Sequence, residues 1–240
     1  MHGLLYPKGA LMINSYESIV AVVPAREFDD HMPGKNLLPL SNTNLLVHKV
    51  RQLKKVFDAE DIFVSSESLQ YLSFATEEGV IADLRPMEFA APTASFGDFV
   101  HHIASKLDCE HIVWASPTSP LVDEKDFELA VDIYFKVLHQ GYDSLITTNK
   151  IKRFLLDENG PLNFRFDITD RSAKKLPALY EFVNGIVIAP RKSMLKWRYN
   201  WGLLPFKMQL PRHKIVDICN EAEYSFASFL VAQGNSNDMA

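Results

Sequence analysis

Ser18-Ile19-Val20-Ala21-Val22-Val23-Pro24 is an unbroken apolar, mostly β-branched run of strand length. It keeps no polar face for water, so it reads as a strand buried on both sides, as in a parallel sheet covered by helices. Segments of the same kind recur at Asp61–Ser66, Val80–Leu84, His111–Ala115 and Ser144–Thr148. Helical patterns separate them. Asn44–Phe57 carries Leu45, Val47, Val50, Leu53 and Val56 at roughly helical spacing, with Asn42 or Thr43 as its cap. Leu69–Glu78 ends at Gly79, Phe96–Leu107 follows, and Asp126–His139 stops at Gly141. This alternation predicts an α/β three-layer sandwich with a mainly parallel, Rossmann-like central sheet and right-handed crossovers.

The pattern changes after Lys150. Asn159-Gly160-Pro161 is a turn signal between two short extended pieces, and Thr169–Pro177 is polar and basic. A strand at Gly185–Ala189, a helix near Lys192–Arg198, a strand at Phe206–Leu210 and a helix from about Glu221 complete the chain. Residues 151–182 therefore read as an excursion from the sheet, a lid or dimerisation arm. The expected organisation is an N-terminal extension at 1–17, one domain at 18–232 and a frayed tail at 233–240. Met1 and Met12 are both available as starts.

The 240 residues suffice for one large domain, and 47% of them are apolar. Lys+Arg of 25 against Asp+Glu of 30 gives a net charge of −5, which argues against a nucleic-acid partner. Cys109 and Cys219 belong to no Cys/His cluster, so they read as free thiols in a reducing compartment. No apolar run reaches the roughly 18–20 residues that cross a bilayer, and Met1–Tyr16 lacks the apolar stretch of a signal peptide. No membrane partner is expected.

The first strand ends in Pro24-Ala25-Arg26, and Pro33-Gly34-Lys35-Asn36 follows. Ligands of open α/β sheets bind outside the carboxyl ends of the strands, where an Arg fork and a Lys point charge suit phosphates. The segment is neither a Walker loop nor a G-x-G-x-x-G fingerprint. Further along come Leu84-Arg85-Pro86, Thr93-Ala94-Ser95, Pro117-Thr118-Ser119-Pro120-Leu121, Leu176-Pro177 with Tyr180 and Asn184-Gly185, and Val216-Asp217-Ile218. In this order, from about residue 18 to 231, the segments resemble the acylneuraminate cytidylyltransferase (CMP-sialic acid synthetase) family. That family typically reads P-A-R-x-x-S-K-G-x-P-x-K-N, P-T-S-P-L, L-P-x-x-Y-x-x-N-G and V-D-I-D.

The resemblance implies a nucleotidyltransferase fold and transfer of CMP from CTP to a nine-carbon sugar acid, with release of pyrophosphate. Catalysis of this kind is mainly positioning and charge neutralisation. On the matching positions Arg26 and Lys35 would hold the triphosphate, and Ala25, Asn36, Arg85, Thr93, Ser95 and Ser116 would complete the nucleotide site. Thr118, Lys174, Lys175, Tyr180 and Asn184 would face the acceptor. Asp217 would bind Mg²⁺ and help deprotonate the attacking hydroxyl. The resemblance also implies a homodimer in a bacterial-type cytoplasm, making activated sugars for surface glycans.

Four departures bear on this. The family's S-K-G is Asp29-Asp30-His31, which reads as a solvated acidic loop unless the carboxylates recruit an extra Mg²⁺. V-D-I-D is Val216-Asp217-Ile218-Cys219, so the second carboxylate is a thiol that Mg²⁺ would not choose. Asn220 or Glu221 offers a substitute, and Cys219 reads as a packed small residue. The basic stretch at 171–175 and one extra residue between Tyr180 and Asn184 change the acceptor side, and Ser116 stands where the family often has Gln. These leave open another acidic acceptor (an octulosonate, phosphonate or phosphate) or a non-catalytic nucleotide-binding relative.

Overall fold

The computed structural model describes residues 18–29, 32–165 and 173–237. The expected extension at 1–17 and the residues Asp30, His31, Arg171 and Ser172 lie outside them. In chain order the elements are β1 (Ile19–Pro24), β2 (Pro39–Leu40), β3 (Thr43–Asn44), α1 (Leu45–Leu53), β4 (Ile62–Ser66), α2 (Leu69–Glu77) and β5 (Ile81–Leu84). Then come α3 (Phe96–Lys106), β6 (His111–Ala115), α4 (Glu124–Leu138), β7 (Ser144–Ile151), β8 (Leu156–Asp157) and β9 (Gly160–Pro161). β10 (Leu179–Pro190), α5 (Arg191–Trp197), β11 (Pro205–Gln209) and α6 (Glu221–Asn237) close the order.

Seven strands form the central sheet in the order β11-β7-β10-β6-β1-β4-β5. All neighbours pair in parallel except β10, which runs antiparallel to both β6 and β7. The β-branched runs occupy the middle: every residue of β4 and β6 is buried, whereas the edge strand β5 leaves Ile81 and Leu84 exposed. Side chains alternate across β1 with period two. Ile19, Ala21 and Val23 pack with Leu46 and Val50 of α1, Tyr71 of α2 and Phe127 of α4. Val22 faces the other layer with Val100 and Ile103 of α3 and Met194 of α5. Each fully buried aliphatic side chain contributes about 1.5–3 kcal/mol through its removal from water.

The local signals resolve more finely than expected. The cap of α1 is Asn44 rather than Asn42 or Thr43, its side chain accepting the Val47 N–H at 2.9 Å. α4 begins at Glu124 because Asp123 and Asp126 form a capping box. The strand expected at Gly185–Ala189 is the end of a twelve-residue strand. Its first half, Leu179 to Phe182, pairs back on Lys150 and its neighbours in β7, and the register shifts between Phe182 and Val187. The two ends of the 151–182 excursion are therefore paired in the sheet as an antiparallel ribbon, 148–151 against 179–182, and the small β8–β9 hairpin lies between them in the chain. α6 continues as helix to Asn237, past the point where a frayed tail was expected.

Candidate functional site

The carboxyl ends of β1, β4 and β6 open on one side of the sheet, and the chain leaves them through short loops. Ala25 is buried at the end of β1, its N–H bonded to the Ser65 carbonyl at 3.0 Å. The chain then loops out and returns at Gly34, whose φ of 71° suits a residue without a Cβ. A short 3₁₀ turn, Lys35–Leu37, follows. Asn36 is buried and its Nδ2 donates to the Arg26 carbonyl at 2.8 Å, which ties the two ends of the loop together. Lys35 Nζ lies 2.8 Å from Asp29 Oδ2, and Asp29 also accepts the Met32 N–H at 3.0 Å. Asp29 is thus an internal partner of Lys35 and not part of a solvated acidic loop.

Arg85, at the end of β5, turns inward. It is buried, donates to the Ser65 carbonyl at 2.6 Å and stacks 4.4 Å above the Phe99 ring. Burial pulls its pKa down to about 10, Glu67 opposes this, and the charge of Arg26 adds to it. Arg85 therefore stays cationic at neutral pH, within electrostatic reach of Arg26. Glu67 holds the same loop from β4, accepting the Glu27 N–H at 2.7 Å. Thr93 is an exposed turn residue, and Ser95 caps α3 through the Asp98 N–H at 3.3 Å.

After β6 the turn at 116–122 meets the segment leading into α6. Thr118 Oγ1 donates to Asp217 Oδ1 in a short hydrogen bond, and the Ile218 N–H donates to the Thr118 carbonyl at 2.8 Å. A hydroxyl has one proton, so Ser116 Oγ must donate to Thr118 across their 2.7 Å contact. Asn184 Nδ2 lies 3.4 Å from Ser116 Oγ, and Ser119 Oγ donates to the Asn184 carbonyl at 3.0 Å. Donors therefore run Asn184, Ser116, Thr118 and end on Asp217. Burial raises the Asp217 pKa above the usual carboxylate range. The Thr118 bond and the charge of Lys35 pull it down, Glu223 pushes it up, and Asn184 pulls it down again.

The structure thus brings Lys35, Ser116, Thr118, Asn184 and Asp217 together, while Asn36 bonds the Arg26 carbonyl and Arg85 lies within reach of Arg26's charge. Lys174, Lys175 and Tyr180 are exposed on the ribbon and are not among the described residues that line the cavity beside Asp217. Tyr180 lies instead 6.0 Å from Lys207 Nζ. That cavity, about 410 Å³, is lined by Phe96, Phe182, Asn184, Tyr199, Asn200, Trp201 and Asp217. A second, about 740 Å³, lies against Met32, Pro33, Leu38 and the start of α6.

Sequence reading missed several of these groups. Trp201 reads from sequence as core or interface; it does pack partly buried against the core layer of α3 and α5, and it also lines the cavity, with Phe182 at a ring separation of 4.4 Å. The carboxylate whose charge acts on Asp217 is Glu223, which sequence reading did not single out. Asn220 caps the Glu223 N–H at 3.0 Å. Cys219 is exposed rather than packed, and its N–H donates to Glu223 Oε2 at 2.7 Å.

No cluster of three or more His, Cys, Asp or Glu side chains capable of holding a metal occurs among the described residues. The donor set still suits Mg²⁺, which takes one or two protein carboxylates plus water and phosphate oxygens. Asp217 is a largely buried oxygen donor whose proton affinity is raised by lack of solvation, and Lys35, the cation acting on it, is already paired with Asp29.

A family model described as cytidylyltransferase matches residues 20–160. The N-acylneuraminate cytidylyltransferase of Escherichia coli O18:K1:H7 is 28% identical over 215 residues, 87% of this chain and 51% of that protein. The CMP-N,N'-diacetyllegionaminic acid synthase of Legionella pneumophila subsp. pneumophila is 28% identical over 125 residues, 48% of this chain and 53% of that one. The chain spans about half the length of these two relatives. Among solved structures, a CMP:2-keto-3-deoxy-manno-octonic acid synthetase complexed with CTP superposes with a TM-score of 0.66 at 15% identity, covering 90% of this chain and 99% of that one. A 4-diphosphocytidyl-2C-methyl-D-erythritol synthase from Anaerococcus prevotii DSM 20548 gives 0.62 at 11% identity, covering 90% and 96%. At these identities the two structures establish the fold, a nucleotidyltransferase sheet with flanking helices.

Proposed function

The chain belongs to the cytidylyltransferase family, and from that premise we propose that it transfers CMP from CTP to a nonulosonic, sialic-type sugar acid. The anomeric hydroxyl of the acceptor attacks the α-phosphorus, the bond to the β-phosphate oxygen breaks, and pyrophosphate leaves. The observation that carries this reading is the convergence of Lys35, Thr118, Asn184 and Asp217 beside a cavity lined with aromatic rings.

Arg26 and Lys35 bind the triphosphate, and Asn36 shapes their loop by holding the Arg26 carbonyl. Ala25 and Arg85, with the Thr93–Ser95 turn, form the side that meets ribose and base. Asp217 would hold Mg²⁺, which would supply Lewis-acid polarisation of the phosphates when bound. The family resemblance also places Asp217 where it would help to deprotonate the acceptor's hydroxyl. Phe96, Phe182, Tyr199 and Trp201 favour an acceptor with acylamido or deoxy carbons over one that presents only hydroxyls. The ribbon, with Phe154, Leu156 and Leu162 exposed, is suited to a homodimer contact. No helix among the described residues is long and apolar enough to cross a membrane, and the proposed setting is the cytoplasm.

The test is pyrophosphate release from CTP and Mg²⁺ over a panel of sialic-type, octulosonic, phosphonate and phosphate acceptors. Selective release with a nonulosonic acid is expected, and Asp217→Asn should lower turnover by about 10²–10³-fold. Selective release with an octulosonate or phosphate would overturn the acceptor assignment. CTP binding without turnover on any acceptor would mark a non-catalytic relative.

A further inference from the structure

Lys49 is a charged side chain on the apolar face of α1, between Leu46 and Val50 in the helical spacing, and it is fully buried. Its Nζ donates to the Ser119 carbonyl at 3.0 Å and the Val122 carbonyl at 2.6 Å, with the Phe127 ring centroid 5.0 Å away. Two more side chains of the same helix reach the same turn. Gln52 Nε2 donates to the Pro120 carbonyl at 2.9 Å, and His48 Nε2 meets that oxygen at 3.2 Å. A second lysine, Lys214, places Nζ 2.6 Å from both Asp123 and Asp126 at the N-terminus of α4. Lys214 stands three residues before Asp217. The two lysines thus fasten the two pieces of chain that meet at Thr118 and Asp217: Lys49 the turn carrying Thr118, Lys214 the segment carrying Asp217.

Burying an ammonium costs stability unless it is compensated, and an apolar side chain of similar volume would fill the Lys49 position without that cost. Burial draws the Lys49 pKa down to about 7, against the opposing charges of Asp126 and Asp123. A costly group whose hydrogen bonds all go to one turn beside the site is best explained by what it does to that turn.

We propose that Lys49 is a positioning residue, which with Lys214 sets the contact between Thr118 and Asp217 and thereby the turnover of the site. The catalytic half of this rests on the function proposed above; the structural half does not. In the Lys49→Met variant, hydrogen exchange should accelerate about tenfold or more in peptides covering 116–122 and 214–220, because two charge-assisted hydrogen bonds to the turn are lost. Exchange in β1 should not change. Turnover should fall about 10- to 100-fold, as for outer partners of metal ligands, with the KM for CTP within about threefold of the starting enzyme. Gln52→Met, which removes a single bond to the same turn, should move both readouts in the same direction by less, and it decides the matter if Lys49→Met does not fold.

Unchanged exchange in the two peptides, or acceleration spread over the whole core, would make Lys49 an ordinary core residue and overturn the proposal. Local acceleration with unchanged turnover would overturn its catalytic half. If the unsubstituted protein itself shows no turnover, the proposed function fails, and the exchange measurement still decides whether Lys49 positions the turn.

Discussion

Replacing His48 by glutamine should flatten the acid limb of the stability profile. His48 lies on α1 with Nε2 3.2 Å from the Pro120 carbonyl, so the neutral ring donates there. Burial is the main reason its pKa falls from 6.5 to about 4, and the adjacent Lys49 charge adds to the shift. The Pro120 carbonyl and Glu124 oppose it, and Lys55 contributes weakly in the same direction as Lys49. Between pH 6.5 and about 4 the unfolded chain therefore takes up a proton that the folded chain refuses. The stabilisation is fully present above 6.5 and is lost as pH falls towards 4. A shift of this size, at about 1.4 kcal/mol per pH unit, amounts to about 3 kcal/mol. That is a large share of the roughly 5–15 kcal/mol typical of a folded domain. In the His48→Gln variant the side-chain amide would keep an N–H for the Pro120 carbonyl and would not titrate. The measurement is urea unfolding of both proteins at intervals from about pH 7.5 to about pH 4. A carboxylate held below its usual range away from His48, such as Glu78, loses stabilisation in both proteins and cancels in the difference. The free-energy gap between the two should move by about 3 kcal/mol in favour of the variant as pH falls. A gap that stays constant with pH, or moves the other way, would refute the assignment of His48 as a buried neutral group.

Arg85→Met should cost about 1.5–3 kcal/mol in chemical unfolding, because it removes the charged bond to the Ser65 carbonyl. It should also weaken CTP binding by calorimetry; unchanged CTP affinity would mean that Arg85 serves the fold alone. Gly97→Ala should destabilise by about 1–3 kcal/mol, since its Cβ would stand 2.8 Å from the Arg198 carbonyl oxygen, backbone that cannot swing away. A thermal midpoint equal to that of the unsubstituted protein would show that the α3–α5 contact yields more easily than its geometry implies.

Some of the site was open to sequence reading and some was not. The motif segments gave Arg26, Lys35, Asn36, Thr118, Asn184 and Asp217, because each sits just after a strand or in a short turn whose spacing survives in one dimension. Lys49 carried a faint signal, a cation on an otherwise apolar helical stripe. Its meaning depended on which carbonyls lay opposite, about seventy residues away in the chain. Glu223, Trp201 and Phe182 carried none, since one turn of helix or one register shift decides whether each faces Asp217. Lys174 and Lys175 were read from the basic stretch and Tyr180 from the L-P-x-x-Y segment; all three are exposed and do not line the cavity beside Asp217.

By itself the sequence determined the layers. Continuous apolar runs read as buried strands, helical stripes as the layers that cover them, and the loops after the strands as the place for cations and hydroxyls that meet a ligand. Only the tertiary structure decided that β10 enters antiparallel between β6 and β7, that Asp29 turns inward to Lys35, and that a buried lysine, Lys49, and a half-buried one, Lys214, fasten the turns holding Thr118 and Asp217. The strand order and the lysine contacts are pairings between segments distant in the chain, and the Asp29–Lys35 pair depends on how one loop folds back on itself. They are fixed by which polar group meets which partner once water has been excluded, and local sequence pattern does not encode that choice.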